Sequence, residues 1–302
     1  MTKAFPFSVF YAALLALGAA LYVASGWFPA ALLASPEAAI LPWEFHWPEY
    51  LATGLTLGWF FRGLARSDAR PPLWRSILFV AGVISFYIVL QTRWDYYAQH
   101  LFFAHRWAHF VLHHAGAFAI AMGMSGPVLH AGMPAPLRKL VDSKPVQAAM
   151  DILQHPVMAP MLFVGLLYFW LIPAIHTRVM LDATLYQVMN WSMAINGVMF
   201  WSLVLDSRPR PPARLSHLGR AALILVIELP QMVLGAILSL SMTDYYPVYN
   251  ICGRVLDMTA LNDQHYGGLI IWLPGTLTSF AAMIVVLVTM RLNEEKNEKA
   301  SA

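Results

Sequence analysis

The sequence predicts an all-α protein, a polytopic integral membrane bundle of about eight transmembrane helices with both termini cytoplasmic. Three observations lead there. Hydrophobic residues fill 59% of the 302 positions and charged residues only 12%, about half the charge of an ordinary soluble domain; mean hydropathy is +0.58. Eight stretches approach the roughly 20 apolar residues that cross about 30 Å of hydrocarbon. The basic residues collect in alternate connections, as on the cytoplasmic face of membrane proteins. Ten-residue segments of alternating polarity are absent, which argues against a membrane β-barrel, and a single cysteine, Cys252, excludes a disulfide scaffold. The net charge of +3 follows the helix ends and does not signal nucleic acid.

The stretches lie near Phe7–Phe28, Tyr50–Arg66, Leu73–Leu90, Leu101–Met124, Val157–Ile175, Leu185–Leu205, Ala221–Met242 and Gly267–Met290. The first follows Lys3, and its apolar run is longer than the 7–15 residues, roughly, of a signal-peptide core. It reads as a true span; cleavage would leave seven. The second carries Gly54 and Gly58, a GxxxG spacing that permits close helix packing. With the N-terminus inside, 15 of the 19 basic residues fall on the cytoplasmic side, and only Arg93, Arg106, Arg178 and Arg254 lie toward the outside. The inner connection Ser125–Pro156 and the outer connection Thr243–Tyr266 are expected to be loops, the latter placing Tyr245, Tyr246 and Tyr249 at headgroup level. The chain reads as one helical domain over residues 1–302, with residues 291–302 a charged, solvated tail.

Eleven histidines are many for such a chain. His105, His109 and His113 recur at i, i+4 and i+8 in the fourth stretch, on one slowly rotating helix face, beside Arg106 and His114. At 1.5 Å per residue His113 lies roughly 18 Å below Leu101, near the bilayer centre. Ionisable groups at that depth are costly and tend to face a bundle interior. Interhelical hydrogen bonds are the plain reading, and a metal, a cofactor or a proton path the functional one. Asp95, His100, His176, Asp182, Asp263, Gln264 and His265, with Met180, Met189 and Met193, gather toward the same outer side. Imidazole suits copper, zinc and iron, and thioether adds a preference for Cu(I). His46, His130, His155 and His217 read as solvated or capping groups, Cys252 as a small packed residue. Glu228, two residues before Pro230, either assists a proton or bonds to a neighbouring helix.

Several short motifs, in order, resemble one family: His105-Arg-Trp-Ala-His109, Trp170–His176, Gly197-Val-Met-Phe-Trp201, Tyr246-Pro-Val-Tyr249, and Asp263-Gln-His-Tyr-Gly-Gly268 leading to Trp272. The chain resembles the CtaG-type, caa-type cytochrome c oxidase assembly factors, polytopic bacterial membrane proteins. The resemblance implies a non-enzymatic role in maturing haem-copper oxidase, with copper handled for a metal centre. It implies a site at the outer face of the bacterial inner membrane built on His105, His109 and His176, with Asp263 as its carboxylate. The sixth helix in this family often offers histidine where this chain has Asn190, Ser192 and Asn196, and Met189 or Met193 would supply a softer ligand. His113 completes the candidate set. The expected partners are a haem-copper oxidase subunit, other copper chaperones and membrane lipid.

Two other functions fit the histidines. A membrane b-type haem protein taking part in electron transfer would use them as axial ligands, but such a protein pairs histidines at matching depth on facing helices, and here the deep ones share one helix. A copper or proton transporter would use the ladder with Glu228 as a path, but the inverted repeats common in transporters are absent.

Overall fold

A computed structural model describes residues 7–27, 41–67, 70–124 and 126–301. Among them every regular element is helical: α1 (Phe7–Trp27), α2 (Trp47–Arg66), α3 (Leu73–Gln91), α4 (Arg93–His100) and α5 (Phe102–Phe110). A π-helical turn (Val111–Ala115) joins α5 to α6 (Gly116–Gly123). There follow α7 (Gly126–Gly132), α8 (Ala135–Val141), α9 (Lys144–Leu153), α10 (Met158–Leu171), α11 (Pro173–Met180), α12 (Ala183–Val204), α13 (His217–Leu240), α14 (Val248–Cys252) and α15 (Ala260–Ser301).

All eight predicted stretches fall on helix, but apolarity alone does not return eight spans. Among the described residues four helices (α1, α3, α13 and α15) are long and apolar enough to cross a membrane, and a fifth span arises if α9 and α10, bent by 70°, count as one. The physical reason is polar content and breaks. Glu49 and Arg62 lie in α2, Asn190 and Asn196 in α12, and the fourth stretch, continuously helical from Phe102 to Gly123 through the π-helical turn, carries Arg106 and four histidines. The fifth stretch breaks at Ile172, before Pro173, as expected where the pre-proline residue is pushed to extended backbone (Ile172 ψ 120°). The inner connection is helical at α7, α8 and α9, and α15 runs through the charged tail, where Arg291 and Glu295 pair at 3.2 Å.

Contacts sort the connections onto two ends, as the basic residues predict. At one end Arg62 donates to the Gly132 carbonyl (3.1 Å), Arg214 pairs with Asp151, Arg220 reaches the Asp206, Arg208 and Leu215 carbonyls, and Asn293 bonds Ser207 and His217. At the other, Gln91 meets His46, Trp94 donates to Ala104 (3.2 Å), and Gln264 holds the backbone of Thr243 and Tyr245. Between the ends, α13 exposes Leu218, Leu225, Leu229, Val233 and Leu240, and α15 exposes Leu273, Leu277, Phe280 and Ile284. Apolar stripes of that length, left uncovered, fit lipid. Gly54 and Gly58 face Leu14 and Phe10 of α1 with no room for a Cβ, so the GxxxG is a packing seam.

Candidate functional site

The fourth stretch, α5 through α6, is the scaffold of the site. It opens where Asp263 accepts the Phe102 and Phe103 backbone N–H groups at 3.0 and 2.8 Å, satisfying two of the orphan donors of a helix start. Arg254 pairs with the same carboxylate at 3.1 Å, with Asp263 fully buried. Gly267 lets α15 lie against Phe102 and the stem of Arg106. The resemblance offers Asp263 as a fourth ligand or as a residue that orients the ligands; in the structure both its oxygens are used to position α5.

At the π-helical turn the Gly116 N–H reaches back to the Val111 carbonyl, and both His113 and His114 are buried. Two residues of α12 accommodate the widened turn. Gly197 lies against the Leu112 and His113 backbone, and the Trp201 indole N–H donates to the His113 carbonyl at 2.9 Å. The Gly197–Trp201 motif is therefore a seat for the turn. π-bulges of this kind are frequent at functional sites.

The imidazole protons follow from partners that can only accept. His105 Nδ1 faces the Ala98 carbonyl at 3.3 Å, so Nδ1 donates and Nε2 is a bare lone pair. His109, His113 and His114 each direct Nε2 to an amide oxygen: Asn190 (3.1 Å), Asn196 (3.2 Å) and Gln231 (2.8 Å). Their Nδ1 atoms carry the lone pair. Those four bare nitrogens are buried without a hydrogen-bond partner. His176 differs: Nδ1 donates to the Trp170 carbonyl (3.0 Å) and Nε2 accepts from the Tyr249 hydroxyl (3.0 Å). With Tyr246, which donates to Leu171 O at 2.9 Å, it satisfies carbonyls freed by the α10–α11 break.

The rings form two groups. His105 lies 4.5 Å from His109 and 5.3 Å from His176 between ring centres, while deeper in the bundle His113 stacks on Phe163 at 3.7 Å and lies 5.3 Å from His114. The π-helical turn divides what the sequence reads as one ladder. Met193, fully buried, shares a small cavity with Arg106, His109, His113 and His114. Among the described residues no three His, Cys, Asp or Glu side chains are arranged to hold a metal ion. Two of the bare nitrogens, His105 Nε2 and His109 Nδ1, belong to rings whose centres are 4.5 Å apart, and Met193 lines the same cavity as His109.

Other candidates have structural duties. His265 bonds the Ser241 carbonyl (2.7 Å), His100 the Tyr96 carbonyl (2.8 Å), and Asp182 caps α12 through the Leu185 N–H (2.9 Å). Glu228 takes the bonded alternative, accepting from Thr276 of α15. Tyr246 and Tyr249 are core residues and not headgroup anchors: Tyr246 stacks on Phe102 at 4.3 Å and both are buried. Sequence reasoning missed Gln231 and the amide role of Asn190 and Asn196, visible only once α12 and α13 are packed on the histidines. Asp95, which the sequence groups only with the polar residues of the outer side, accepts from Tyr186 at 2.8 Å and Gln99 at 2.8 Å in the connecting helix α4. Burial pushes the Asp95 carboxyl up to about 6, against the pull of those two bonds.

A helix bundle with uncovered apolar stripes outside and a buried ladder of imidazoles inside defines the class, a polytopic membrane protein with a polar interior. The chain belongs to the cytochrome c oxidase caa3 assembly factor family (Caa3_CtaG), whose family model matches residues 58–292. No curated protein and no solved structure matches it. Membership implies an association with cytochrome c oxidase.

Proposed function

We propose that the protein is a non-enzymatic assembly factor of the bacterial inner membrane. It would take copper as cargo on His105 and His109 near the outer face and pass it to a haem-copper oxidase subunit. The supporting observation is the pairing of bare, buried nitrogens on two imidazoles one turn apart, each held by an acceptor on its other nitrogen. Histidine ligands to metals are oriented in that way. Two nitrogens with a nearby thioether suit Cu(I), and a set this small leaves positions through which an acceptor's ligands can enter. His176 would join as a third ligand when Tyr249 releases its Nε2, and His113 lies one step deeper on the same stretch. Asp263 acts by holding the first turn of α5, which carries His105. The test is elemental analysis of the detergent-purified protein beside a His105→Ala/His109→Ala variant. Near-stoichiometric copper that falls in the variant supports the reading; iron with a Soret band favours the haem alternative, and absence of metal from both overturns copper handling.

A further inference from the structure

Away from the histidines, α2, α3, α6 and α12 frame a cavity of about 370 Å³, within the range of roughly 300–1,000 Å³ usual for small-molecule sites. On α2 its lining residues are Glu49, Ala52, Thr53 and Thr56, the i, i+3, i+4, i+7 set that shares one helix face. Trp191 lines the wall on α12, and its indole N–H crosses to Glu49 Oε1 at 2.8 Å. The carboxylate thus stands between the two walls. Glu49 is 3% exposed, and its second oxygen, Oε2, is buried with no hydrogen-bond partner among the described residues. The other polar groups of the lining are hydroxyls, on Thr53, which donates to the Glu49 carbonyl at 2.9 Å, and on Thr56 and Tyr87. The remaining lining side chains are apolar.

The cavity is drawn out along the helices. Its lining runs from Trp191 to Met199 on α12 and from Leu90 to Phe79 on α3, about 12 and 16 Å at the rise of an α-helix, with the carboxylate toward the outer end. Ile195, exposed in the middle of α12, is one of the lining residues, so the cavity opens on a flank at membrane depth. Apolar cavities stay dry and admit apolar guests, and a water at Oε2 would leave the remainder unfilled. A bare hydrocarbon chain would fill the remainder but leave Oε2 with the full desolvation cost of an unsatisfied polar group. We propose that this cavity binds a membrane-soluble lipidic alcohol, its hydroxyl on Glu49 Oε2 and its hydrocarbon chain along α3 and α12. A hydroxyl both donates and accepts, so it satisfies Oε2 whether Glu49 is ionised or protonated, whereas an ammonium head suits only the carboxylate and a carbonyl only the acid. The site stands whether or not copper binds at His105 and His109.

The test uses the full-length protein in nanodiscs of synthetic phosphatidylcholine, with a tritiated dodecanol analogue that carries a photoactivatable diazirine in its chain. Labelling is expected to saturate and to map, by peptide mass spectrometry, to the lining segments of α2, α3 and α12. Unlabelled dodecanol should compete about tenfold better than dodecane, because only the alcohol supplies the hydrogen bond to a buried carboxyl. Glu49→Leu should keep the labelling and lose that preference. Labelling that does not saturate, or that falls outside these segments, overturns the site. Equal competition by alcohol and alkane in the wild-type protein overturns recognition of the hydroxyl without reference to any variant. A preference that survives in a folded Glu49→Leu protein overturns the assignment to Glu49.

Discussion

Replacing Gly197 by alanine tests whether α12 seats the π-helical turn. A Cβ built there stands 2.8 Å from the Leu112 carbonyl oxygen and 2.9 Å from both the Cα and the carbonyl oxygen of His113. All three are backbone atoms, so no side chain can swing aside. Overpacking of that kind costs about 1–3 kcal/mol. Displacing α12 also stretches the Trp201–His113 bond, and a buried acceptor left unsatisfied costs about 1–3 kcal/mol. Alanine returns about 1 kcal/mol of helix propensity, which leaves a net loss of roughly 3 kcal/mol. At about 2–4 °C per kcal/mol for chains of this order of size, the apparent melting temperature should fall by about 6–12 °C. Gly165 of α10 provides the control, because its built Cβ meets nothing within 4 Å. There the same substitution collects only the propensity gain, and the melting temperature should hold or rise. Differential scanning fluorimetry of the two variants in one detergent decides the matter: shifts of the same sign, or an unmoved Gly197→Ala, would refute the packing argument.

Trp201→Phe keeps the ring and removes the indole N–H, so it should cost about 1–3 kcal/mol in the same assay; unaltered stability would show that the His113 carbonyl has another partner. Asp95 carries a pH dependence. Its pKa rises on folding from 3.8 to about 6, so the protonated form favours the folded state. That contribution, on the order of 3 kcal/mol, is complete below about pH 4 and is lost as pH rises through about 6. Melting temperatures of the wild-type protein should therefore decline across that window, and Asp95→Asn should flatten the decline. Equal slopes would remove Asp95 as the cause. Asp263→Ala should lose on the order of 3–5 kcal/mol in metal-free protein, because it removes the carboxylate that balances the Arg254 charge and leaves two backbone N–H groups unanswered. A loss of stability that appeared only with copper bound would return Asp263 to the ligand set.

Composition and Lys/Arg placement were enough to read the helical membrane bundle and the division of its connections between two ends, because both follow from the solvent on either side of the chain. The histidines were legible as a buried face for the same reason, since i, i+4 spacing is a local property. What was not legible depends on neighbours far along the chain. Asn190, Asn196 and Gln231 look like departures or ordinary polar residues until packing sets them against imidazoles 81, 83 and 117 positions away. The π-helical turn has no residue signature of its own; Gly197 and Trp201 on another helix provide its seat. Tyr246 and Tyr249 read as headgroup anchors because aromatic residues in an outer connection usually are. The break before Pro173 instead gives Tyr246 a carbonyl and Tyr249 the histidine that satisfies another. Asp263 was drawn toward a metal by its place in a shared motif, although a carboxylate at a helix start has a simpler employment in capping.

The most direct test of copper handling lies in the client. Copper per oxidase complex would be measured in cells carrying the wild-type protein, no protein, or the His105→Ala/His109→Ala variant, with variant abundance in the membrane verified. Copper-depleted oxidase in the last two, with normal copper in the first, is the predicted outcome. Fully metallated oxidase in cells carrying the variant would contradict the copper role of these histidines.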